Sequence, residues 1–496
     1  MRATRVAASI GLVALLTACS GSPGAPTQGF ELAERPASDI QAMIEAAAPG
    51  STVRVPVARY VGAVVIDRPV TLEAEPGAVL DGDGEGSVVE VVASGVTLRG
   101  FRIQGSGTGP IGEPSGVLVE AARNVRLEGL VIEQTYLGIT VRETRGVLIE
   151  DVRIRGRAQA TIVGEEHAVA NGEGDHEDHG AHAAATGAGL PRGDGIWLWN
   201  TQDAVVRTSR IEATRDGIYL SYGERIVLED NVISDARYAI HDMYARDLAI
   251  TGNVLRGNLS GCVLMYGGPV RVLGNAVVDS GSPSTGFGVL VKDAGDVLVR
   301  GNVILDDRVA VHVDDAGRTG GAPARFERNL IAANHVGVVL YPSARPTFTG
   351  NAFVENAAQV VLGGSGVAGA SWSVDGIGNH WSDYQGFDAD GDGIGDVPYA
   401  QSGRLAGLVA RSPVLLALAS GPALRLVEAV EERWVPSEPL VLDPAPLLHA
   451  VRPDVPRFTP REAGSGTLVW AGLLMAGVGG AGLALARRGR GGARRA

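Results

Sequence analysis

The chain has 496 residues, 70 of them glycine and only 5% aromatic, and a formal net charge of −13 despite a basic C-terminus. An acidic body excludes a nucleic-acid partner, which requires a basic face. Dense glycine with few large side chains suits the many tight turns of a repeat architecture, and two cysteines, Cys19 and Cys262, exclude a disulfide-stapled fold.

Residues 1–18 read as an export signal, in which Arg2 and Arg5 precede an apolar run too short to span a bilayer. The run ends in Leu16-Thr17-Ala18-Cys19, a lipobox that marks Cys19 for lipidation. Residues 19–36 then make a flexible tether. With Cys19 lipidated, Cys262 has no disulfide partner within the chain.

Residues 37–360 carry a repeat. Ile196-Trp197-Leu198-Trp199, Ile218-Tyr219-Leu220-Ser221, Ile240-His241-Asp242-Met243 and Cys262-Val263-Leu264-Met265 each begin 22 residues after the last. Val117 and Ile139 keep the step upstream, and Lys292 and Asp314 resume it after a short insertion. Short alternating strands bounded by Gly, Asn and Asp at this period predict one solenoid coil per repeat, hence an all-β, right-handed parallel β-helix. Asn231, Asn253, Asn275, Asn302, Asn329 and Asn351 recur at one turn and are expected to stack as a hydrogen-bonded ladder.

Side chains alternate along a strand, so the first and third positions of each copy point inward and the second and fourth outward. One outward column is then Trp199, Ser221, Met243, Met265, Lys292, Asp314 and Tyr341. Its neighbour is Trp197, Tyr219, His241, Val263, Leu290, His312 and Val339. Coils lie ~4.8 Å apart, which brings Met243 over Met265 with His241 on the same face. Two thioethers and an imidazole form a soft ligand set suited to Cu(I) and ill suited to Mg²⁺ or Ca²⁺. The competing reading is that they pack beneath a loop or a partner. Asp242 takes an inward position that the register leaves unexplained.

Two further segments have metal-ligand character. Residues 164–193 hold His167, His176, His179 and His182 among acidic residues, a polar loop expected either to gather Cu²⁺ or Zn²⁺ as an auxiliary site or to be merely solvated. Asp388, Asp390, Asp392 and Asp396 occupy positions 1, 3, 5 and 9 of a calcium-loop pattern with Gly393 at 6. Position 12 is Tyr399, where a bidentate Glu is usual, so the alternatives are a structural Ca²⁺ site and a plain Asp/Gly turn.

Residues 361–450 are expected to cap the solenoid, with amphipathic helices over 405–430, and residues 451–466 form a proline-marked linker. Residues 467–486 are uncharged and just long enough to cross a bilayer. The five arginines within residues 487–496 place that tail in the cytoplasm and the main domain outside the membrane.

The strings Gly193-Asp194-Gly195-Ile196-Trp197-Leu198-Trp199-Asn200, Ala239-Ile240-His241-Asp242-Met243-Tyr244, Leu264-Met265-Tyr266, Val291-Lys292-Asp293 and Gly378-Asn379-His380-Trp381-Ser382-Asp383-Tyr384 occur in this order. Together they resemble the NosD family, periplasmic β-helix proteins of nitrous oxide reductase maturation, over residues 37–448. The resemblance implies a non-catalytic assembly factor that works with an ABC permease and ATPase. It would accept copper from a small lipoprotein chaperone and pass it to nitrous oxide reductase for its copper–sulfide centre. The family's His-x-Met and Leu-Met-Tyr strings fall on His241, Met243 and Met265. The His-rich insertion and the double anchoring depart from the family pattern and favour a fixed platform over a free shuttle. The rival class is a polysaccharide lyase or epimerase using Lys292, Asp293, Asp314 and Asp315, although no carboxylate pair clearly flanks a base. A scaffold for the transporter that binds no metal is the third reading.

Overall fold

A computed structural model describes residues 32–109, 111–157, 192–282, 285–314, 321–364, 369–401 and 439–457. Each coil contributes one strand to each of three sheets, of 14, 12 and 12 strands, and every strand pairs in parallel with its counterpart in the next coil. This is the right-handed parallel β-helix expected from the 22-residue step. The signal, Cys19, the histidine loop, the expected helices over 405–430 and residues 467–496 lie outside the described residues.

Alternation does the folding. In strand after strand the inward Ile, Val or Leu is buried and its neighbours are half-buried or exposed, as in Arg153–Arg155 and Ile196–Trp199. The inward residues merge into one core running from Ala37 to Val441, and each full burial of a Val, Leu or Ile side chain stabilises the fold by about 1.5–3 kcal/mol. The residue just before the first inward Ile of these strands must be small. A Cβ on Gly217 would lie 2.5 Å from the Ala239 carbonyl oxygen of the next coil, which explains why Asp-Gly-Ile recurs.

The asparagine ladder forms as expected. Asn231, Asn253, Asn275, Asn302, Asn329 and Asn351 are fully buried. Each donates its side-chain amide to the Oδ1 of the next at 2.8–3.0 Å, ending on Asn379. Asn379 in turn gives its backbone N–H to Asp443 at 2.7 Å.

Both ends are closed. At the start, helix α1 (Ser38–Ala46) buries Ile40 and Ile44, and its Gln41 Oε1 accepts the Val65 amide on the exposed edge. At the far end, stacked rings of Phe353, Trp381 and Tyr399 follow one another at 4.4 Å. The chain then returns. Leu447 N–H donates to Asn379 O, and Val455 packs on Val254, Ala276 and Val278 of the 14-stranded sheet. Residues 451–457 of the expected linker are therefore laid along the solenoid.

Candidate copper site

The candidate site lies on the outer face of one 12-stranded sheet, on strands β1 (Ile196–Trp199), β2 (Asp216–Ser221), β3 (Tyr238–Met243), β4 (Ser260–Met265), β5 (Val289–Lys292) and β6 (Val309–Asp314). Register pairs Trp199 with Ser221, Ser221 with Met243, Met243 with Met265, Met265 with Lys292 and Lys292 with Asp314. The neighbouring column runs Trp197, Tyr219, His241, Val263, Leu290, His312 and Val339. Both columns follow the sequence-derived order, the first as far as Asp314. Met243 and Met265 are half-buried on adjacent coils, and His241 is 9% exposed beside them.

The imidazole is held on three sides. His241 Nδ1 lies 2.9 Å from Asp216 Oδ2, its ring stacks on Tyr219 at 4.8 Å, and the edge of Tyr238 meets it at 5.0 Å. The Tyr219 hydroxyl donates to Met243 Sδ at 3.5 Å, and burial pushes that phenol up to about 12, so it stays a donor. Burial alone would raise the Asp216 carboxyl. The Arg237 guanidinium and the bond to His241 instead hold it well below the ordinary carboxylate range. Sequence reasoning missed Asp216 and Tyr219 as parts of the site. Asp194 and Asp216, and likewise Arg215 and Arg237, each 22 residues apart and so in step with the coil, were the available signal.

The turns after β2, β3 and β4 add an aromatic wall. Tyr222, Tyr244 and Tyr266 all take the left-handed conformation, with φ of 56°, 64° and 62°. That conformation is costly for a bulky side chain. Their rings stack at 4.9 and 5.2 Å, which offsets part of the cost and lines the methionine column.

Asp242 is inward, as the register required, and wholly buried between Leu220 and Leu264. Its Oδ1 accepts the Ala245 N–H at 3.0 Å, closing the turn after β3, while Oδ2 is buried without a partner. Burial pushes this carboxyl up to about 7. Cys262 occupies the core position between Ile240 and Val289, and burial pushes its thiol up to about 12, so it is an unreactive filler. It is a free cysteine among the described residues.

Of the groups considered for sugar chemistry, the described residues bring together only a lysine and a carboxylate on adjacent coils. Lys292 and Asp314 are register neighbours, but Asp293 is buried in the turn. His312, packed on Phe287 at 4.7 Å, is driven down to about 4 by burial and by Lys292. Asp315 lies outside the described residues, as do His167, His176, His179 and His182.

In the acidic loop, Asp388, Asp390 and Asp392 bring carboxylate oxygens within 4.8 Å of one another. Asp396 is not among them; its Oδ2 accepts the Ala389 N–H at 2.7 Å. Tyr399 is turned into the cap, where its hydroxyl donates to Asp383 Oδ2 at 3.1 Å.

Two solved β-helices overlay on much of the chain. One is a PL6 alginate lyase in complex with a trisaccharide (15% identity, TM-score 0.47, 69% of this chain and 85% of that one). The other is the catalytic unit of a GH87 α-1,3-glucanase from Streptomyces thermodiastaticus (14% identity, TM-score 0.49, 74% and 70%). Neither likeness bears on chemistry. A "probable ABC transporter binding protein NosD" of Pseudomonas aeruginosa is 30% identical over 417 residues, covering 79% of this chain and 86% of the relative. Its namesake in Stutzerimonas stutzeri is 28% identical over 408 residues, covering 80% and 86%. Residues 169–386, which contain the whole methionine–histidine face, match the family described as "Periplasmic copper-binding protein (NosD)". With that match and those relatives, the chain belongs to the NosD family of periplasmic copper-binding proteins.

Proposed function

We propose that this chain is a non-catalytic copper-handling platform on the external face of the membrane, with Cu(I) held by Met243, Met265 and His241. The observation that carries the reading is the register. Two thioethers stand on adjacent coils, ~4.8 Å apart, with an imidazole two residues away on the same face. Thioether sulfur is soft, and an imidazole whose other nitrogen is engaged offers a neutral lone pair, a donor set matched to Cu(I). The names of the relatives support an ABC transporter permease and ATPase as the working partner. In this reading copper arrives from a lipoprotein chaperone and leaves to nitrous oxide reductase during assembly of its copper–sulfide centre. Cys19 and residues 467–486 anchor the platform, and the histidine loop gathers Cu²⁺ or Zn²⁺ as an auxiliary store.

Replacing Met243 and Met265 together with Leu keeps volume and hydrophobicity. It should abolish Cu(I) binding, read by competition with a chromogenic Cu(I) chelator, while circular dichroism stays that of a β-helix. Unchanged affinity in the double variant would remove the site. Deleting residues 164–193 should leave Cu(I) affinity intact and reduce Zn²⁺ uptake; an unaltered zinc titration would remove the auxiliary role.

A further inference from the structure

The buried charges behind the candidate site repeat with the coil. Asp194 accepts two bonds from Arg215, at 2.9 and 2.7 Å, together with the backbone N–H of Asp216 at 3.1 Å. One coil later Asp216 accepts two bonds from Arg237, both at 2.9 Å. Asp194 and Asp216 are 2% and 0% exposed, so both carboxylates need full partnering in a medium that penalises bare charge. The second module has a feature that bears on the site. Asp216 Oδ2 also meets His241 Nδ1 at 2.9 Å, whereas the ring in the equivalent position one coil earlier is that of Tyr219.

We propose that Asp216, clamped by Arg237, is a positioning residue that fixes His241 in the Nδ1–H tautomer and leaves the Nε2 lone pair as the metal-facing donor. A carboxylate with no proton can only accept from the ring, so the ring nitrogen it touches must carry the hydrogen. The bidentate guanidinium prevents the carboxylate from rotating away. Tyr219, stacked on one face, and Tyr238, meeting the ring edge-on, oppose rotation of the imidazole itself. A carboxylate behind a ligating histidine also strengthens the ring as a donor. The tautomer assignment stands on the apo geometry alone; its consequence for copper rests on the function proposed above.

The test uses the full chain labelled with ¹⁵N-histidine, the His241 signals being assigned by their loss in His241→Phe. Long-range ¹H–¹⁵N correlation of the metal-free protein should show His241 as the Nδ1–H tautomer. Asp216→Asn should shift it toward Nε2–H or a mixture, and Asp194→Asn should leave it unchanged. An Nε2–H tautomer in the wild type would overturn the proposal without recourse to any variant. If Asp216→Asn does not fold, Asp216→Asn with Arg237→Gln removes the carboxylate without leaving a buried guanidinium unpaired. On Cu(I)-loaded protein, Asp216→Asn should weaken affinity by about 10- to 100-fold and diminish the Cu–N shell in X-ray absorption while the Cu–S shell persists. Asp194→Asn should do neither. Equal losses in the two variants would show a merely structural role and overturn the proposal. A wild type with the expected tautomer but no Cu(I) affinity would instead overturn the copper reading alone.

Discussion

Replacing Asp242 with Asn removes an ionisable group from a place where ionisation is expensive. Asn keeps the oxygen that accepts the Ala245 N–H at 3.0 Å and cannot acquire charge. The carboxyl titrates at 3.8 when free and at about 7 in the fold, because burial disfavours its anion. A folded value raised above the unfolded one means that unfolding releases a proton in between. Stability is therefore undiminished below about pH 4, declines as pH rises toward 7, and levels off above it. At 1.36 kcal/mol per unit the full gap is about 4 kcal/mol, of which about 2 kcal/mol is lost by pH 5. Asp242→Asn should thus gain about 2 kcal/mol more over the wild type at pH 8 than at pH 5. The assay is the urea midpoint by circular dichroism at both pH values, with an unchanged slope confirming that the same surface unfolds. His312, which is depressed to about 4, loses stability in the opposite direction as pH falls. It is common to both proteins and cancels in the difference. A wild-type-to-variant gap that is the same at pH 5 and pH 8 would refute a buried, protonated Asp242.

Asn302→Ala removes the acceptor of the Asn275 backbone N–H at 2.8 Å, and a donor to Val272 O at 2.9 Å, inside a fully buried ladder. A stranded buried amide costs about 1–3 kcal/mol and the lost bonds add to it. Protection of the Asn275 amide against hydrogen exchange should fall at least ~10-fold, and unchanged protection would show that the ladder contributes nothing. The acidic loop should bind Ca²⁺ through Asp388, Asp390 and Asp392, and calorimetry should lose that heat in Asp388→Ala but retain it in Asp396→Ala, whose carboxylate lies outside the cluster. Equal effects of the two substitutions, or no heat in the wild type, would discard the site.

How much of this was legible in the sequence follows from what each feature depends on. The asparagine ladder and the two outward columns follow from two periods, 2 along the strand and 22 between coils. A parallel coil has no freedom to slip by one residue without turning its whole core outward. Thus Met243 falls beside Met265, and His241 beside Tyr219, in the order the repeat predicts. Asp242 was legible as inward, but its reason was not, since the turn it closes at Ala245 is a matter of backbone direction. The calcium-loop pattern gave four carboxylates and the structure gathers three. The direction of Asp396 is decided by the nearby Ala389 amide, which no spacing rule encodes.

The sequence by itself determined the architecture, the stacking of chemical groups on its face and the soft character of the donors, because all three are periodic properties of a repeat. Only the tertiary structure decided how those donors are aimed. The Asp216 carboxylate reaches His241 across coils, a separation of 25 residues, and Tyr219 reaches Met243 across 24. Those contacts depend on rotamers and buried charge pairing, which are settled only once neighbouring coils close over them. The same holds for residues 451–457, which composition marks as linker but which lie along the solenoid because Val455 finds Val254, Ala276 and Val278 on its outer face.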